Sequence, residues 1–323
     1  MSISILNFST AILHVASQKA NRWIRPPDPA VFAACLNTGI CSLWDDGPLP
    51  DPAAASRSDW GEVVNRLVPA MPEIFPQKIA ADLDGLIRAC HDFFVALRSA
   101  GAAYIPFWSE GYPGLLRQIS DPPMGLSIAG DGTLLLRPSI AVVGSRFAAN
   151  WAVEWANDFG KLSSAADIPV VSGGAYGCDA AVHNGMLAAR FDAVPAIAVF
   201  AGGLGCPYPR HNIRLFEDIA ASGGCLVSER SLDARCRPHD FLARNRIISG
   251  LSLGTIIVQA AERSGAMVTA RCAADQSRDV WVVRPPFPDI RAAGNQCLLD
   301  DGAMGLGRPV DAMVELAASL MTS

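Results

Sequence analysis

Between residues 140 and 283 the chain repeats one pattern: a short apolar run, bounded mostly by Gly, Ser or Pro, then a longer polar-apolar stretch. The runs fall at 140–143, 169–171, 196–200, 225–227, 255–259 and 280–283, with stretches of helical length such as 151–165 and 179–189 between several of them. Runs this short and this apolar are read as strands buried on both faces, and strands alternating with amphipathic helices build a parallel sheet. The pattern predicts a doubly wound α/β domain, whose ligands bind at the carboxyl ends of the strands.

Upstream, the pattern differs. Residues 1 to about 103 carry helical periodicity broken by proline-rich punctuation at 25–29 and 47–52, and residues 77–97 place apolar side chains three and four apart. Proline cannot sit inside these helices, so a small helical N-terminal domain is predicted over 1–103. The α/β domain spans 104–315, with 316–323 as a tail. Half of the 323 residues are hydrophobic, ample for a large core, and 18% are charged, which argues against extensive disorder. The nine cysteines form no C-x-x-C pair. They read as small buried hydrophobes in a reducing cytoplasm, with no metal site and no cofactor implied. The N-terminus lacks the basic flank of a signal peptide, and no apolar run approaches the roughly 20 residues that span a bilayer. A cytoplasmic protein with no membrane partner is expected.

The chemistry concentrates in the loops after the strands. Gly144-Ser145-Arg146 follows the first, offering close backbone approach and a guanidinium fork for phosphate beside a helix start. It is not a G-x-G-x-x-G fingerprint, which argues against an ordinary dinucleotide site. Ser172-Gly173-Gly174-Ala175-Tyr176-Gly177-Cys178-Asp179 follows the second, with His183 one turn on. Ser172, His183 and Asp179 could form a triad, but a helix cap and a surface pair account for the same residues, so no catalytic residue is assigned. The third strand leads through Gly202 and Gly203 to Tyr208-Pro209-Arg210-His211-Asn212, where Tyr208 offers either a stacking face for a single-strand base or a piece of core.

A net charge of −5 disfavours nucleic acid unless a local basic patch exists. One stands after the fourth strand: Arg230, Arg235, Arg237, Arg244 and Arg246 against Asp233 and Asp240, with Phe241 interleaved. Arginine forks around an aromatic suit a single strand's backbone and bases. Ser264-Gly265, followed by Thr269, begins another helix, either as an anion site or as an ordinary cap.

In this order the segments resemble the DNA-processing protein A (DprA/Smf) family. The matching pieces are Val143 to Arg146, Ser172 to Asp179 with His183, Gly203 to Pro209 with Asn212, and Ser228-Glu229. Phe241 with Arg244-Asn245-Arg246 and Ser264-Gly265 with Thr269-Ala270 continue the series. The resemblance covers about 105–315. It implies an extended Rossmann-like fold that binds single-stranded DNA, dimerises, and loads the RecA recombinase during natural transformation and homologous recombination. Carried over, Arg146 meets phosphate, Phe241 and Arg244 line the pocket rim, and Gly173 and Gly174 let the strand approach. Gly144, Ser145, Ser172, Asp179, Tyr208, Asn245, Arg246, Ser264, Gly265 and Thr269 complete the DNA-binding set. The chain departs from the family at Gln259 (usually glutamate before alanine), at Arg284-Pro285-Pro286 (usually Pro-Gly) and at Cys178 (typically isoleucine). Residues 1–103 match poorly, and no winged-helix tail is expected.

Two rivals remain. LOG-type phosphoribohydrolases carry a Pro-Gly-Gly-x-Gly-Thr-x-x-Glu loop, whereas Gly202-Gly203-Leu204-Gly205 runs into Cys206-Pro207-Tyr208-Pro209, without the threonine or the glutamate. A small nucleotide ligand would present phosphate and base to the same groups as DNA.

Overall fold

The computed structural model describes residues 82–189 and 193–320, with 11, 12, 14, 15, 56–58, 61, 64 and 65. The helical domain expected over 1–103 therefore lies largely outside the described residues. Its last helix, α1 (Leu83–Ser99), is capped by Asp82, whose carboxylate accepts from Gly85 N at 2.9 Å. Phe93 and Phe94 of α1 meet the Tyr104 ring edge-on at 5.5 Å, which seats the helix on the edge of the sheet.

The other elements in chain order are β1 (Ala103–Pro106), α2 (Gly114–Arg117), β2 (Gly125–Gly130), β3 (Ile140–Val143), α3 (Asn150–Ala165), β4 (Val170–Ser172) and α4 (Cys178–Ala188). Then come β5 (Ala196–Phe200), α5 (Ile213–Ala221), β6 (Cys225–Ser228), α6 (Pro238–Gly250), β7 (Gly254–Ile257), α7 (Gly265–Asp275), β8 (Asp279–Val283), α8 (Ala293–Asp300), β9 (Met304–Leu306) and α9 (Pro309–Leu320). The sheet order is β1-β2-β6-β5-β4-β3-β7-β8-β9. β3 to β9 run parallel, while β2 pairs antiparallel with both β1 and β6. This is the extended Rossmann-like, mostly parallel α/β architecture, and the strands predicted from the apolar runs all form.

Alternation along buried strands supplies two cores. Ile140, Val142 and Ile256 face Trp155 and Phe159 of α3 and Met186 of α4, whereas Ala141, Val143 and Ile257 face Ile247 and Ile248 of α6. Trp155 and Phe159, four apart on α3, stack at 5.1 Å.

Strand order reverses between β3 and β7, where a dinucleotide would ordinarily lie. Here side chains bridge that crevice. Gln259 Oε1 accepts from Ala149 N at 2.8 Å, and its amide donates to Asp289 Oδ2 at 2.7 Å. Trp151 donates to the same carboxylate oxygen at 2.9 Å. Burial raises the Asp289 pKa, but the hydrogen bonds from Trp151 and Arg291 outweigh it and hold the carboxyl below its usual value. A glutamate at 259 could not donate to Asp289 and would set two anions together. The glutamine is thus matched to its partner. The other departures also fit locally: Cys178 packs where a Cβ on Gly144 would stand 2.5 Å from its Sγ, and the Arg284 guanidinium lies across Gly305 of β9.

Among the described residues, no helix is long and apolar enough to cross a membrane. His183 on α4 is fully buried with no hydrogen-bond partner in the described structure, and burial lowers its pKa from 6.5 to about 4. Between those values the unfolded chain takes up a proton that the folded chain refuses, so stability falls as pH drops from about 6.5 to 4. The full effect is about 3 kcal/mol. The thermal midpoint should decline through that window, and His183→Leu should make the decline shallower. An unchanged slope in the variant would remove His183 as a cause.

Candidate nucleic-acid interface

The loops after β3, β4 and β5 are buried enough that their backbone groups need protein partners. Asp179, at the start of α4, accepts from Gly144 N and Ala175 N at 3.3 Å each and so ties the first two loops together. Burial pushes its carboxyl pKa up, opposed by the Arg244 charge and the backbone amides. Arg244, on α6, donates to Gly173 O at 2.9 Å and to Val199 O, joining the second loop to β5. Asn212 donates to Gly174 O at 3.0 Å and Ala175 O at 3.3 Å. Gly177 has φ +73°, and a Cβ there would stand 2.1 Å from Ser145 O, so only glycine lets these loops meet.

Above this base lies a narrow pocket lined by Arg146, Gly173, Tyr176, Tyr208, Phe241 and Arg244, among others. Arg146 is exposed, with its guanidinium 4.9 Å above the Phe241 ring, and Phe241 meets Tyr208 at 5.5 Å. Arg146 forms no ion pair among the described residues, so its charge is available to an anion. Arg244 is 7% exposed. Burial lowers its pKa to about 10, with Asp179 opposing and Arg146 adding to the effect, and it stays cationic at neutral pH.

The structure gathers Gly144, Ser145, Arg146, Gly173, Gly174, Asp179, Tyr208, Phe241 and Arg244 at this corner of the sheet and separates the rest. Arg246 turns away: its guanidinium pairs with Glu229 at 2.7 Å and Asp121 at 2.8 Å, and it is nearly buried. The arginine run is therefore not one basic face, because α6 sends successive residues to different sides. Asn245 donates to Gly265 O at 3.2 Å and Ser264 caps α7, while Thr269 donates to Gly265 O at 3.3 Å. Only the Asn245 bond joins α6 to α7, the other two bonds lie within α7, and none of these four residues lines the pocket. Ser172 Oγ and His183 are buried without partners and Asp179 binds backbone amides, so the three form no triad. Tyr176, 41% exposed in the pocket wall, was not singled out from the sequence, where a tyrosine among glycines was the only signal. No cluster of three or more His, Cys, Asp or Glu suited to a metal occurs among the described residues.

A model of the DNA recombination-mediator protein A family matches residues 103–317. The chain belongs to this family. Protein Smf of Escherichia coli is 37% identical over 216 residues, 67% of this chain and 57% of that protein. DNA processing protein DprA of Bacillus subtilis is 36% identical over 222 residues, 68% and 73% of the respective chains. The chain thus spans little more than half the length of the first relative. Among solved structures, DNA processing protein A of Streptococcus pneumoniae superposes with a TM-score of 0.67 at 28% identity, covering 83% of this chain and 93% of that one. The Helicobacter pylori protein, whose structure concerns its single-stranded DNA binding mode, gives 0.60 at 27% identity, covering 68% and 96%.

Gly173 is the position where pocket and scaffold meet. A Cβ there would lie 2.5 to 2.7 Å from the guanidinium atoms of Arg244. Because Arg244 is buried and bonded, it cannot swing aside cheaply. Gly173→Ala should destabilise the fold by about 1–3 kcal/mol in urea unfolding. Gly265→Ala, whose Cβ meets nothing within 4 Å, is the control and should be neutral or slightly stabilising. Equal effects at both sites would refute the Gly173–Arg244 contact as a constraint.

Proposed function

We propose that this site binds single-stranded DNA, with Arg146 on a phosphate at the pocket mouth and bases against the outer faces of the Phe241, Tyr208 and Tyr176 rings. The observation that carries this is the Arg146 guanidinium, without an ion-pair partner among the described residues, stacked on Phe241 at the mouth of the pocket. A cation with no ion-pair partner among the described residues calls for an anion, and the adjacent exposed Tyr176 and Tyr208 rings and the half-buried Phe241 ring call for flat apolar surface. A single strand supplies both, whereas a duplex keeps its bases stacked inside. The relatives' names support the same ligand class.

On this reading the chain is a non-enzymatic binding protein. The pocket lining brings together cationic and aromatic side chains, the groups of a single-strand binding site. In line with the family resemblance, the proposed role includes loading a RecA-type recombinase onto the bound strand in transformation and recombination, as a homodimer in the cytoplasm. A small nucleotide as sole ligand is disfavoured, because the relatives are named for DNA processing and single-stranded DNA binding.

Fluorescence anisotropy with labelled oligo(dT) tests the proposal. Wild type should bind in a salt-sensitive manner and prefer the single strand to duplex. Arg146→Ala should weaken binding roughly tenfold, about 1.4 kcal/mol. Its log–log salt slope should be shallower by about 0.7, the single-strand value for one lost phosphate contact. No binding by wild type at low salt would overturn the proposal.

A further inference from the structure

Beyond the Tyr208–Phe241 ring pair lies a second cavity, an open groove of about 570 Å³ between the loop after β5 and the segment that leads into α6. Its walls include Cys206, Tyr208, Arg210, Arg235, Cys236 and Phe241, and no acidic side chain lines it. Tyr208 and Phe241 belong to both cavities, so the two rings form a partition with one space on either side.

The sizes of the two spaces differ greatly. The inner pocket's roughly 10 Å³ admits a phosphate oxygen but not a sugar and base. The groove falls within the range of about 300–1,000 Å³ that small-ligand sites occupy. Charge points the same way. Arg210 and Arg235 are exposed and form no ion pair among the described residues, whereas Arg230 is held by Asp240 and Arg246 by Glu229 and Asp121. Two unpaired cations, one aromatic wall and no carboxylate match a nucleotide of a strand already anchored next door.

We infer that this groove is a second nucleotide subsite of the single-strand site, an inference that rests on the reading above. It takes the base and sugar one step along the strand from the phosphate at Arg146. Arg210 and Arg235 hold the next phosphate, and the Tyr208–Phe241 partition separates successive bases.

The chain carries its own reporters. Cys206 and Cys236 are half-buried free thiols in the groove, while Cys272 on α7 and Cys297 on α8 are half-buried free thiols that line neither cavity. Alkylation by N-ethylmaleimide would be followed at each cysteine by mass spectrometry, with and without oligo(dT), and saturation would be checked by anisotropy in the same sample. Bound oligo(dT) should slow Cys206 and Cys236 on the order of tenfold, because an occupied groove exposes them only while the ligand is off. Cys272 and Cys297 should keep their rates. In parallel, the double variant Arg210→Ala with Arg235→Ala should flatten the salt slope by about 0.7 to 1.4, one or two phosphate contacts. Saturated protein whose groove thiols react as fast as in the free state, or all four thiols slowed equally, would overturn the subsite. So would an unchanged salt slope in the double variant. Failure of wild type to bind at all would instead remove the underlying reading.

Discussion

Three loops leave the sheet at the same corner, and their backbone groups must be satisfied inside the protein rather than by water. Two buried side chains of opposite charge tie the first two loops together, while the third is held by Ala234 O, Leu232 O and the Ser228 hydroxyl. Asp179 gathers amides from the loops after β3 and β4, and Arg244 gathers carbonyls from the loop after β4 and from β5. Neither is free to move, since releasing either would leave a buried charge and several unpaired backbone groups, at a cost of several kcal/mol. The loops are fixed as a consequence, and the glycines that let them pass at contact distance belong to the same constraint.

This arrangement divides the arginines into two kinds. Arg244 and Arg246 are spent on the fold, one on carbonyls and the other on Glu229 and Asp121. Arg146, Arg210 and Arg235 project into or beside open space, beyond reach of any carboxylate in the described residues. An overall charge of −5 is therefore compatible with a local cationic surface.

The strands from β3 to β8 were legible because they are mostly buried on both faces and so read as short apolar runs. β1, β2 and β9 were not. β1 and β9 are short edge strands with exposed positions, and β2, with the sequence Gly-Leu-Ser-Ile-Ala-Gly, carries glycine and serine among its apolar residues. Gly173 and Arg146 stood out individually by residue type. The partnership of Gly173 with Arg244 did not, since 71 residues separate them and only the packing of α6 under the sheet end brings them together. The arginine run misled for the opposite reason: neighbours in sequence on a helix point in different directions, so Arg244 and Arg246 share a stretch of chain but not a surface.

By itself, then, the sequence determined the doubly wound α/β class, the placing of glycine-rich loops at strand ends, and the family to which the chain belongs. Those follow from local patterns, namely hydrophobic periodicity and the types of residue that follow each strand. Only the tertiary structure decided which charges are neutralised, that Gln259 and Asp289 bridge the usual dinucleotide crevice, and that two aromatic rings divide a tight pocket from a wide groove. Those outcomes depend on distances between residues far apart in the chain, which are set by how helices pack on the sheet and are not encoded in any short stretch of it.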